Sequence, residues 1–191
     1  MSGPVRRGGA VRRGGRLVDP DGRVVTWSMA EGARGRRWRW SVVDPQGAFV
    51  AAHTVELDAD GRFARLESAA AGGLLSVHRE ADGSLHGNRV VERGIDHLTL
   101  PAPAPGAAVV GFGPIGAAIA SAGMPAGGAA VDVVEVGDDL GVRVVEASAR
   151  RIATGTLELR IGSGVRRVRL DDAGLPAADD GPSTSWPLER P

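Results

Sequence analysis

The stretch "GLLSVHREADGSLHGNRVV", residues 73–91, decides the fold. Two runs rich in Leu and Val flank "ADG", and Asp before Gly suits a tight turn because Asp bonds local backbone while Gly accepts positive φ. The stretch reads as a β-hairpin. A three-residue loop would set His78 opposite His86 and Ser76 opposite Asn88, whereas a two-residue loop would set His86 opposite Arg79 and separate the histidines. The spacing leaves both registers open.

The same punctuation recurs outward in "DPDG" at 19–22, "DADG" at 58–61 and "DDAG" at 171–174. Alternation fills the intervals. In "RRWRWSVV", Trp38, Trp40 and Val42 share one strand face, and Arg37, Arg39 and Ser41 share the other. In "AFVAAHTVEL", Phe49, Ala51, His53, Val55 and Leu57 fall together, which makes His53 a buried, hydrogen-bonded core histidine. The segments "AVDVVEV", "VRVVEASARRI", "TLELRI" and "VRRVRL" return to the pattern after residue 128. Residues 24–191 therefore read as a single, mainly β domain: a curled antiparallel sheet, half-barrel or β-roll, of about nine to ten strands with one short helix.

That helix comes from "GAAVVGFGPIGAAIASAGMPAGG", residues 106–128. Pro114 suits a first helical turn, Phe112, Ile115, Ile119 and Ala122 follow at spacings of three and four, and Gly123 and Pro125 stop it.

Composition narrows the chemistry. The 191 residues are 42% apolar, enough for one good core, and hold four Trp, three Phe and no Tyr. The absence of cysteine excludes disulfides, thiolate nucleophiles and zinc fingers. All 23 basic residues are arginine, which excludes lysine Schiff-base chemistry. Net charge is zero, yet residues 1–40 carry ten Arg against Asp19, Asp21 and Glu31, a local +7 that leaves −7 on the remainder. The repeat "VRRGGAVRRGG" lacks interleaved aromatics, so residues 1–23 read as a solvated, disordered tail and give no strong nucleic-acid signal. No apolar stretch follows these arginines, as a secretory signal would require, so a cytoplasmic location is expected. Leu98 to Val131 carries no charge, but Pro101, Pro103, Pro105, Pro114 and Pro125 interrupt it, so no transmembrane segment is expected.

Two motifs point to other chemistries. "GFGPIG" matches G-x-G-x-x-G at Gly111, Gly113 and Gly116, and Glu135 follows nineteen residues after the last glycine, as in a dinucleotide-binding fingerprint. Against it, a helix over 117–122 is about 9 Å long, too short for a crossover spanning a sheet, and no second crossover follows. His78 and His86, if paired, would be half a metal site needing a third ligand from His53, His97 or a carboxylate. A Ser76–His97–Asp96 triad fails because Asp96 and His97 point to opposite strand faces. The acidic-glycine turns lack the further ligands of a calcium loop.

The tryptophan strand "RRWRWSVV", the run "LLSVHREADGSLHGN", the Pro/Gly/Ala-rich middle and the ending "VRLDDAGLPAADDGPSTSWPLE" together resemble the bacterial glycolipid-binding family, over residues 24–190. That family in turn resembles half-barrel lipoprotein carriers. The family's middle segment carries a Thr/Asn-rich turn leading into "LPI"; here only Pro114 and Ile115 match, and no contact is carried over from that turn. The resemblance implies a binding protein.

The residues are compatible with it, because a curled sheet leaves a concave face suited to an amphiphile. The expected function is non-enzymatic binding of an apolar or amphiphilic small molecule, a lipid or glycolipid, without a cofactor. His86 and Asn88 are candidates for a head group, and Trp38, Trp40 and Trp186 for stacking on sugar rings or acyl chains. The alternatives are a metal-dependent enzyme at His78 and His86, or a dinucleotide site at Gly111–Gly116.

Overall fold

A computed structural model describes residues 11–19, 21–100, 108–111, 113–124 and 127–177. Eight strands form one antiparallel meander in chain order: β1 (Val11–Val18), β2 (Val24–Gly32), β3 (Gly35–Val43), β4 (Phe49–Leu57), β5 (Phe63–Ala70), β6 (Gly73–Arg79), β7 (Leu85–Val91) and β8 (Gly94–Leu100). Five more make a second sheet: β9 (Ala108–Val110), β10 (Val131–Val136), β11 (Val142–Ala153), β12 (Thr156–Ile161) and β13 (Gly164–Arg169), in the order β13-β12-β11-β10-β9. One helix, α1 (Pro114–Ala122), links β9 to β10. The chain is mainly β, built from antiparallel sheets that do not close into a barrel.

Aspartate turns shape the connections of both sheets. Asp19, Asp44, Asp58 and Asp171 each accept two backbone N–H groups through one carboxylate oxygen at 2.8–2.9 Å, from the residues two and four further on. Each is followed three residues later by a glycine at positive φ, such as Gly22 (77°) and Gly61 (77°). The "EADG" hairpin closes the same way, with Gly83 N–H donating to the Glu80 carbonyl and Glu80 N–H to the Ser84 carbonyl. The three-residue register follows: His78 stands opposite His86, and Ser76 opposite Asn88.

The apolar face of the meander carries Trp38, Val55, Leu66, Val77 and Leu85, each at most 1% exposed. It belongs to a core cluster that also holds Val133, Val134, Leu159, Ile115 and Ile119, so the two sheets and the helix share one interior. Trp27 and Trp38 pack with ring centroids 5.8 Å apart, and both indole N–H groups lack a partner among the described residues. Val25, Trp27 and Met29 on β2 extend this face toward β1, where Leu17 is buried.

Three sequence expectations change. The segment assigned to a tail contains β1, which pairs with β2 from Val11 opposite Glu31 to Val18 opposite Val24; Gly15 makes this possible, since a Cβ there would lie 2.9 Å from Trp27 Nε1. The strands number thirteen among the described residues, because β1 is a strand and the short β9 adds an edge to the second sheet. The helix is longer than expected and is not one-faced: Ile115 to Ala120 are buried without interruption, so neighbours enclose it on every side. Its small residues allow that close approach. Ile115 and Ile119 are buried as expected, Ala122 is exposed, and Phe112 lies outside the described residues.

Candidate functional site: a two-row cleft on the curled sheet

A cleft of about 900 Å³ is lined by residues from every strand of β2 to β8. Residues of seven successive strands line it from one face, which requires that face to be concave, so the sheet curls around the cleft. The face toward the cleft is the one opposite the tryptophans.

Cross-strand pairing arranges its side chains in two rows. Thr26, Ser41, Ala52, Ala69, Leu74, Val90 and Ile95 are successive register partners, and so are Ser28, Arg39, Thr54, Glu67, Ser76, Asn88 and His97. The first row turns wholly apolar from Ala52 onward, ending in Leu74, Val90 and Ile95, exposed by 56%, 39% and 60%. The second is polar along its whole length. Between them runs the row Trp27, Trp40, His53, Ser68 and Leu75, which belongs to the cleft's floor but directs its side chains to the opposite face. One step beyond the polar row lie Arg12, Ala30, Arg37, Glu56, Arg65, His78 and His86 in register, so the face grades from apolar through polar to charged.

Polar contacts orient several of these groups. Asn88 Oδ1 lies 2.7 Å from His97 Nδ1. An amide oxygen only accepts, so Nδ1 carries the proton and Nε2 remains available to a ligand. Arg65 pairs with Glu67 at 2.6 Å, and Arg37 with Glu56 at 2.5 Å. Arg39 is exposed and makes no hydrogen bond or ion pair among the described residues.

His53 sits under the floor. Its Nδ1 is 2.9 Å from Ser68 Oγ, and its ring centroid lies 4.8 Å from that of Trp40. Burial pushes its pKa down to about 4, against the smaller opposing pull of the Asp138 carboxylate in the turn between β10 and β11. At neutral pH it is an uncharged, packed imidazole.

The candidate residues separate accordingly. Asn88 lines the cleft from the polar row. Trp40 borders it, but the residue is only 7% exposed and its side chain belongs to the far face, and Trp38, at 1%, lies wholly within the core. Both tryptophans follow the strand parity of the packed face, which is where the apolar residues go. Trp186 lies outside the described residues. His86 stands one row beyond the cleft lining, opposite His78, whose Nε2 is 2.9 Å from Glu80 Oε1. Among the described residues no three His, Asp or Glu side chains converge as metal ligands would. Asp96 bonds Arg89 on the face away from His97, at 2.7 Å. The sequence missed Arg39, Glu67, Ser76, Leu74, Val90 and Ile95 as lining. Reading the alternation from "RRWRWSVV" for its other face would have found Arg39.

The glycine motif forms a real strand–turn–helix unit, which corrects the expectation that its helix is too short. Gly111 has φ 58° and donates its N–H to the Val136 carbonyl, and β9 pairs with β10 in parallel across α1. A nine-residue helix suffices because the crossover joins adjacent strands. The acid does not follow the motif's chemistry: Glu135 is 6% exposed and bound to Arg143 at 2.5 Å. From β10 onward the sheet is antiparallel, so among the described residues no second crossover extends it.

Fold and site define a β-rich protein with an open, two-row cleft on a curled sheet. No family model and no curated protein matches the chain. A solved structure of a DUF1089 family protein from Pseudomonas aeruginosa is similar at 14% identity with a TM-score of 0.46, covering 92% of each chain. Among the described residues no helix is long and apolar enough to cross a membrane.

Proposed function

We propose that this protein binds an amphiphilic small molecule, a lipid or glycolipid, in the cleft of its curled sheet, without catalysing a reaction. The observation that carries the reading is the apolar row, ending in Leu74, Val90 and Ile95, running beside an unbroken polar row. Neighbouring strand residues on one face normally serve a core or face water; exposed Leu, Val and Ile joined edge to edge mark a binding surface. The cleft's volume falls in the range of small-ligand sites, about 300–1,000 Å³. The resemblance to the bacterial glycolipid-binding family agrees, and the Ser, Asn and His of the polar row suit a hydroxyl-rich head.

Fluorescence titration of solvent-extracted protein with a fluorescent acyl lipid tests the reading. Saturable uptake at one site is expected. Uptake that stays linear or absent would contradict it. The serine–histidine pair that borders the cleft, Ser68 with His53, directs its side chains to the packed face, and among the described residues no cluster of three metal-ligating side chains supports the metal alternative.

A further inference from the structure

We propose, resting on that reading, that the amphiphile is an anion, with its acid group at Arg39 and its chain laid across the sheet over Leu74, Val90 and Ile95. The polar and charged rows hold four guanidiniums, from Arg12, Arg37, Arg39 and Arg65, against two carboxylates, Glu56 and Glu67. Both carboxylates are committed, to Arg37 and Arg65. Among the described residues Arg39 is the arginine of these four that lines the cleft, and it has no partner there. A cationic head would meet that guanidinium with repulsion and find no free carboxylate. A carboxylate or phosphate would form charge-assisted hydrogen bonds with it.

The geometry also fixes a direction. Arg39 stands on β3 and Leu74 on β6, three strands away, about 14 Å along the sheet and less across its curve, a span that a chain of about a dozen carbons covers. Between them the apolar row offers Ala52 and Ala69, small side chains that leave room for the chain to pass. His97 Nε2 and Asn88 lie on the polar side of the same path.

Calorimetric titration of the full-length, solvent-extracted protein at low salt tests this, using dodecanoate, 1-dodecanol and acetate. Dodecanoate is expected to bind about five- to tenfold tighter than dodecanol, the worth of one partly exposed charge-assisted contact, and acetate not measurably. Arg39→Gln removes the preference, bringing dodecanoate down to the affinity of dodecanol for the same variant; Arg39→Lys keeps most of it. Equal affinity for acid and alcohol, or a preference that survives in Arg39→Gln, overturns the anionic assignment while the amphiphile reading stands. Acetate binding as tightly as dodecanoate would make Arg39 a bare anion site and overturn it too. Binding of none of the three brings down both.

Discussion

Acidification should weaken the fold through His53, and the size of the effect follows from its position. In the unfolded chain His53 titrates near its ordinary 6.5, whereas in the fold burial holds it at about 4. Above pH 6.5 both states are neutral there and the residue adds no pH dependence. Below it the unfolded state takes up a proton that the folded state refuses, so stability is lost as pH falls from 6.5 toward 4. Between pH 7.5 and 5 the loss is about 2 kcal/mol, and it is largely complete by pH 4. Carboxylates titrate in the same window, so the measurement is a difference. Urea unfolding followed by tryptophan fluorescence, at half-unit steps from pH 7.5 to 4.5, is compared between wild type and His53→Gln. The glutamine variant should lack that part of the slope, so that its stability relative to wild type improves steadily on acidification. Parallel pH profiles for the two proteins would refute the reasoning, because they would mean that the imidazole accepts its proton in place.

Three further changes probe other parts of the account. Gly87 lies on β7 where a Cβ would collide with the Ser76 carbonyl, so Gly87→Ala should cost about 3 kcal/mol in urea unfolding, although alanine normally favours a strand over glycine. Trp38→Ala should cost about 3–5 kcal/mol, while the milder Trp38→Phe should leave lipid affinity unchanged, as befits a core residue and not a ligand contact. Leu74→Asp and Ile95→Asp, both on exposed positions, should shift the melting temperature little yet weaken uptake of a fluorescent acyl lipid by about tenfold or more.

Much of the architecture was legible because its signals are local. The aspartate-glycine turns and the strict alternation of "RRWRWSVV" and "AFVAAHTVEL" require only neighbouring residues to be read, and His53 among apolar partners follows from the same alternation. Strand β1 was hidden because "VRRGGRLV" has two glycines and three arginines and little strand propensity; it is held by pairing with β2 and by the fit of Trp27 against Gly15. The parallel β9–β10 pair was hidden because α1 looks too short until the strands it joins are known to be adjacent. The site was less legible for a single reason. Tryptophans draw attention as ligand contacts, yet their strand parity commits Trp38 and Trp40 to the packed face, and the cleft belongs to the other parity. Which face of a curled sheet is concave depends on what packs behind it, and that is settled by β10, α1 and β12, far along the chain.

The central claim is that the cleft holds an amphiphile, and native mass spectrometry of protein purified without detergent tests it most directly. Spectra are taken before solvent extraction, after it, and after the extract is returned, for wild type and for the Leu74→Asp/Ile95→Asp double variant. The account predicts one adduct per wild-type chain, removed by extraction and restored by the extract, and none on the double variant. A bare chain mass in every wild-type spectrum, or the same adduct on the double variant, would contradict it.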